Sequence, residues 1–249
     1  MTSDSRDKLY TDPIDEVPRF EFNEAVSNVF GDMIRRSVPG YGTAMRTTGV
    51  LVSEVVRDGG TVYDLGCSLG EAAHFVLAAC GDANLRLVLV DSSEPMIARA
   101  RERFSDWPNV SCVCADLLHL DYEEAAAFVL NYTLQFISRQ ARTGLLCRLH
   151  ERLLPGGALV LSEKIRLDTP EQDEIATRRH HGFKRLMGYS DREIEQKREA
   201  LEDVLVPDTL KGLKSRLRQA GFGRIDIWFT CLNWVSLIAY KTDRVQGSR

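Results

Sequence analysis

Between residues 22 and 60 the apolar positions recur at helical spacing. Phe22, Val26, Val29, Phe30 and Met33 predict a first helix that ends before the Ser37-Val38-Pro39-Gly40 break. A second runs from about Met45 to Val56, with Val52, Val55 and Val56 on one side, and stops at Gly59-Gly60. From residue 61 the texture changes to short apolar runs alternating with helical ones. Thr61-Val62-Tyr63 leads through a glycine turn into a helix that carries Val76 and Leu77. Leu85–Val90 (LRLVLV) is apolar at almost every position, as in a strand buried on both faces of a parallel sheet. A helix over Pro95–Phe104 follows, then strands at Val110–Ala115 and Ala126–Leu130. A helix burying Leu145, Leu146, Leu149 and Leu153 stops at Pro155-Gly156-Gly157 and feeds a strand at Ala158–Leu161. Such alternation predicts an α/β doubly wound sheet.

Residues 165–207 interrupt it with charged helical sequence. A cleaner helix returns after Asp208, a plausible N-cap, with Leu210, Leu213, Leu217 and Ala220 in register and Gly221 as the stop. Two closing strands, about Arg224–Thr230 and Trp234–Tyr240, suit a terminal hairpin. The expected organisation is one domain over 1–249. It comprises a loose polar arm (1–20), N-terminal helices (21–60), core βα units (61–164), a helical insertion (165–207) and a closing helix with strands (208–241).

The 249 residues are 44% hydrophobic and 27% charged, and 32 Lys plus Arg against 36 Asp plus Glu give a net charge of −4. That balance argues against a surface built to coat nucleic acid. The longest apolar runs are too short for a membrane span. The cysteines are Cys67, Cys80, Cys112, Cys114, Cys147 and Cys231, with no CxxC pair. No apolar leader-like run opens the chain, so free thiols in a cytoplasmic protein are expected, and no metal site.

Val62-Tyr63-Asp64-Leu65-Gly66-Cys67-Ser68-Leu69-Gly70 carries the first chemistry. A glycine turn between a buried strand and a helix lets a ligand touch the backbone and offers N–H groups at the helix start. The dinucleotide fingerprint GxGxxG is absent. Three more polar residues stand where strands end: Asp91, 21 residues after Gly70, Asp116, and Asn131. A carboxylate at Asp91 can accept from two ribose hydroxyls, and Asp116 or its neighbouring backbone can meet an adenine amino group. In open α/β sheets these ends border one crevice.

D-x-G-x-x-x-G resembles the first motif of class I S-adenosylmethionine-dependent enzymes, with Ser68 where a middle glycine is common. GDMIRRSVPGY (31–41), VYDLGCSLG (62–70), LNYTLQF (130–136), PGGALVLSEK (155–164) and HHGFKRLMGYSDREIEQKR (180–198) are similar to signatures of the carboxy-S-adenosyl-L-methionine synthase family. The likeness runs from about residue 8 to 241, with Gly31 standing where proline is expected.

The resemblance implies a class I methyltransferase-like, Rossmann-like sheet, mostly parallel with a C-terminal antiparallel strand. It implies conversion of S-adenosyl-L-methionine and prephenate into carboxy-S-adenosyl-L-methionine and phenylpyruvate by a cytoplasmic homodimer. The product would serve a separate enzyme that modifies a transfer RNA wobble uridine. Nucleotide contacts carry over to Tyr41, Gly66, Cys67, Ser68, Asp91, Ser92, Asp116, Leu117, Asn131 and Arg198, the last for the new carboxylate. No general base is implied.

Read by composition alone, Arg198 is a charge on a solvated helix face. The cluster Arg178, Arg179, His180, His181, Lys184 and Arg185 reads as surface too, although it would attract dianionic prephenate. Tyr41 fits either a loop lid or a tyrosine packed on the core, and Trp228 and Trp234 fit core or interface anchors better than ligand contacts. Two other classes compete: an ordinary methyltransferase of a small molecule, and an idle nucleotide-binding or RNA-associated module.

Overall fold

The LRLVLV run is buried on both sides because alternate residues feed two different cores. In the computed structural model, which describes residues 6–81 and 84–242, the chain forms α1 (Glu24–Ser37), α2 (Tyr41–Val55), β1 (Thr61–Leu65), α3 (Glu71–Cys80), β2 (Arg86–Asp91), α4 (Glu94–Arg103), β3 (Val110–Cys114), β4 (Ala125–Asn131), α5 (Arg139–Arg152), β5 (Leu153–Arg166), α6 (Pro170–Leu186), α7 (Asp191–Ala200), β6 (Asp208–Thr209), α8 (Leu210–Gln219), β7 (Arg224–Cys231) and β8 (Trp234–Tyr240). One core joins Val62, Leu87, Leu89, Ala127 and Val129 to α2, α3 and α4. The other joins Tyr63, Leu65, Val88, Val90, Phe128 and Leu130 to α5 and α8. The period-2 side-chain alternation of a strand thus becomes a three-layer α/β/α stack.

The strand order is β3-β2-β1-β4-β5-β8-β7, with β6 on β5 outside this path. Pairings among β1 to β5 are parallel, and β8 is antiparallel to both β5 and β7. This is the expected mostly parallel sheet with its antiparallel closing strand. Because β2 and β4 flank β1, the chain reverses its winding direction there. The carboxyl ends of β1, β2 and β4 therefore border the switch-point crevice where doubly wound sheets bind ligands.

Several boundaries differ from the sequence reading. Gly40, at φ +77°, starts α2 at Tyr41, so Tyr41 is a buried helical residue and no loop lid. β5 begins at Leu153, before the Pro155-Gly156-Gly157 stop, through a register shift opposite Ala125/Ala127. The N-cap of α8 is Thr209, which accepts from Gly212 N–H, while Asp208 turns to Arg142 and Arg216. Residues 6–20, expected to be loose, are strapped onto α7. Gln196 accepts from Ile14 N–H and donates to the carbonyls of Tyr10 and Asp12, and Tyr189 donates to the buried Asp7. Irregular backbone that finds such partners stays ordered. All six cysteines are free thiols. Among the described residues no helix is long and apolar enough to cross a membrane, and no cluster of His, Cys, Asp and Glu suits a metal.

Candidate active site

The turn after β1 is built for close approach. Gly66 sits at φ +71°, and a Cβ there would lie 2.3 Å from Thr133 Oγ1, so only glycine fits. Gly66 and Cys67 N–H groups both donate to Val90 O, at 2.7 and 3.0 Å, which binds the turn to the end of β2. Ser68 takes the left-handed region at φ +49°, with its N–H on Asp91 Oδ2 at 2.9 Å. Asp91 Oδ1 accepts from Ser93 N–H at 2.9 Å, and the Ser93 hydroxyl caps α4. A single carboxylate therefore fixes both the glycine turn and the start of the next helix. Burial pushes the Asp91 carboxyl upward, opposed by its bonds from the Ser93, Ser68 and Ser92 N–H groups.

All ten residues carried over from the motifs line one cavity of about 770 Å³, toward the large end for small-molecule sites. The structure brings together Tyr41, Gly66, Cys67, Ser68, Asp91, Ser92, Asp116, Leu117, Asn131 and Arg198. They differ in availability. Asp116 is exposed, its Oδ1 taken by Leu118 N–H and its Oδ2 3.1 Å from His119, whereas Leu117 is buried. Arg198 sits at the rim, its side chain 57% exposed and paired with Glu195 at 2.6 Å. Asn131 Nδ2 donates to Thr48 Oγ1, but its Oδ1 is buried without a partner.

Asp64, quoted in the motif yet not assigned a role, belongs to the same wall. Its Oδ2 is buried and unpartnered, and burial raises its carboxyl to about 7 against the pull of the Ala73 N–H. Unpaired buried polar atoms are rare and costly. Two unpartnered acceptors in one cavity suit a ligand that brings donors.

Tyr132, Lys164 and Lys197 line the cavity without having been singled out in the sequence. Tyr132 occupies the left-handed region at φ +58°, strained for an aromatic residue. Its ring lies 5.9 Å from Tyr41 and 5.5 Å from Trp234, and His180 lies 5.9 Å beyond Trp234. Lys164 at the end of β5, Lys184 on α6 and Lys197 on α7 reach the cavity as well. The cluster read as surface is therefore divided. His180, His181 and Lys184 line the cavity, and of these His180 and Lys184 are buried; Arg178, Arg179 and Arg185 stay outside it. The i, i+4 spacing of His180 and Lys184 puts them on one face of α6. Trp234 is both core anchor and cavity wall. Glu163 caps the turn at Leu134–Phe136 by accepting from the Leu134 and Gln135 N–H groups, at 2.9 and 3.0 Å, and burial raises its carboxyl to about 8.

Residues 62–157 match the methyltransferase domain family. The carboxy-S-adenosyl-L-methionine synthase of Shewanella amazonensis is 43% identical over 96% of this chain and 100% of its own length. The chain belongs to the carboxy-S-adenosyl-L-methionine synthase family. The synthase of Chromohalobacter salexigens is 46% identical over 95% of this chain and 88% of that protein. Human N-acetylserotonin methyltransferase, solved with S-adenosylmethionine, shares the fold at a TM-score of 0.60 and 15% identity, over 88% of this chain and 56% of that one. As in other members of the synthase family, S-adenosyl-L-methionine is then a substrate rather than a resident group.

Proposed function

We propose that this protein makes carboxy-S-adenosyl-L-methionine from S-adenosyl-L-methionine and prephenate, releasing phenylpyruvate and water. The observation that carries the reading is the convergence of Gly66, Asp91 and Asn131 on one switch-point cavity, in a chain 43–46% identical to synthases of that name. In this reading Asp91 accepts from the ribose hydroxyls, and Asp116 and the Leu117 backbone border the adenine. Tyr41, Cys67, Ser68 and Ser92 flank the nucleoside. The ammonium of the methionine portion supplies the donors that Asp64 Oδ2 and Asn131 Oδ1 lack. Arg198 receives the new carboxylate, since a guanidinium fork fits it bidentately.

The chemistry needs few side chains. When the prephenate ring aromatises it loses its ring carboxylate as carbon dioxide and its hydroxyl as hydroxide. The hydroxide takes a proton from the sulfonium methyl and becomes water, and the resulting ylide carbon bonds to the carbon dioxide. The cavity contributes proximity and exclusion of bulk water. By the same family likeness the enzyme works as a cytoplasmic homodimer and supplies a separate transfer RNA carboxymethyltransferase, touching no RNA itself.

Arg198→Met tests this against an ordinary methyltransferase. The wild type should bind the carboxylated nucleotide more tightly than the plain one. The variant should lose about tenfold for the carboxylated form and little for the plain form. The effect is modest because Arg198 is solvent-screened and already has Glu195 as partner. Equal wild-type affinities by calorimetry would favour the methyltransferase.

A further inference from the structure

Lys164, Lys184 and Lys197 come from three different elements to one cavity, and the positive charge they bring is poorly matched. Lys197 Nζ lies 3.2 Å from Ser37 Oγ and 3.7 Å from the Asp7 carboxylate. Among the described residues no carboxylate comes within 4.0 Å of Lys164 or Lys184. Lys184 and Lys197 are both buried, and for Lys184, which has no carboxylate partner, burying the charge is costly. Beside them the Trp234 indole Nε1, also buried, has no acceptor. Lys164 Nζ stands 5.9 Å from the Trp234 ring, which continues through Tyr132 to Tyr41. Tyr132 follows Asn131 directly, so this wall adjoins the proposed nucleotide half. A group of unmatched donors next to flat aromatic faces suits an anionic ligand with a six-membered ring.

We propose that Lys164, Lys184 and Lys197, with the Trp234 indole N–H, hold the 2-oxo-acid carboxylate of the second substrate, while Tyr132 and Trp234 flank its ring. This assignment rests on the synthase reading above. The oxo-acid carboxylate is chosen over the ring carboxylate on chemical grounds. The ring carboxylate must give its bonding pair to the ring as carbon dioxide leaves, and tight ion pairing would hold that pair back. The oxo-acid carboxylate survives into phenylpyruvate, so the same lysines bind the product.

The charged groups around Lys184 set a second readout. Burial, then Lys197 and Lys164, bring Lys184 down to about 7, with Asp7 pulling the other way. Burial lowers Lys197 to about 8 against Asp7 and Asp32, with Arg36 adding to the fall. Lys164 is lowered by burial and raised by Asp173. His180 is held neutral, at about 3, by burial and by Lys184 and Lys164; His181 is lowered too, by burial and by Lys184, Arg185 and Arg198. An anion beside these lysines raises their proton affinity, so binding at pH 8 draws protons from solution, and at pH 6, where the lysines are already charged, it does not.

The test uses phenylpyruvate as a stable probe on the intact enzyme, with prephenate turnover alongside. Lys164→Met and Lys184→Met should each raise the prephenate KM and the phenylpyruvate Kd roughly 10- to 100-fold. Affinity for S-adenosyl-L-methionine should stay within about twofold. Calorimetry of wild type in two buffers of different ionisation enthalpy should show proton uptake at pH 8 and none at pH 6. Folded variants with unchanged KM and Kd overturn the assignment. Should Lys184→Met fail to fold, absence of wild-type proton uptake at pH 8 overturns it instead. If wild type yields no carboxylated nucleotide from prephenate, the synthase reading falls, whereas the phenylpyruvate titrations still read the lysines by themselves.

Discussion

Arg142→Met is expected to lower the thermal midpoint by roughly 6–20 °C. The Arg142 side chain is buried, and its guanidinium donates to Ile137 O, Asp208 Oδ2, Gln135 O and Val206 O at 2.7–3.2 Å. Methionine fills much of the volume but leaves the Ile137 and Val206 carbonyls unpaired, and Asp208 keeps Arg216 at 2.9 Å and Arg139 at 3.9 Å. Removing one partner of a buried ion pair costs about 3–5 kcal/mol. In a chain of this size each kcal/mol moves the midpoint by about 2–4 °C. Arg142 also ties the segment ending at Asp208 to the cavity wall at Gln135 and Ile137, so nucleotide affinity should fall with stability. A calorimetric shift below about 2 °C would show that the network does not hold this wall.

The second large effect belongs to Asp91→Ala, which should weaken S-adenosyl-L-methionine and its carboxylated form alike, by roughly 10- to 150-fold. Hydrogen bonds to a charged group are worth about 1.5–3 kcal/mol, and the ribose is common to both nucleotides. The structure adds a reason beyond the ribose, since the same carboxylate holds Ser68 in its left-handed conformation and Ser93 at the start of α4. Asp91→Asn keeps one acceptor oxygen and should fall between wild type and alanine. Unchanged titrations would reduce Asp91 to a structural cap.

The strand–helix alternation and its switch point were legible because buried parallel strands and amphipathic helices write their periods directly into the chain. Asp91 and Asn131 were legible for the same reason, as polar residues standing where apolar strands stop. Lys164 obeys the same strand-end rule, after PGGALVLSE, and could have been found by it. Lys197 could not, and Lys184 was legible only as one charge of a cluster read as surface. They sit in the most charged stretch of the sequence, and only the fold of α6 and α7 over the sheet turns one face of each toward the cavity. Residues 6–20 carry no periodic signal; their order comes from Gln196 and Tyr189, more than 170 residues away. Tyr132 gives no hint of its positive φ, because the strain is imposed by neighbours rather than by local propensity.

Incubation of the purified protein with S-adenosyl-L-methionine and prephenate, followed by mass analysis of the nucleotide, tests the central claim most directly. The expected product is a nucleotide heavier than the substrate by one carboxylate in place of a hydrogen, formed one-for-one with phenylpyruvate. An unaltered nucleotide beside intact prephenate, or S-adenosylhomocysteine as the sole nucleotide product, would contradict it.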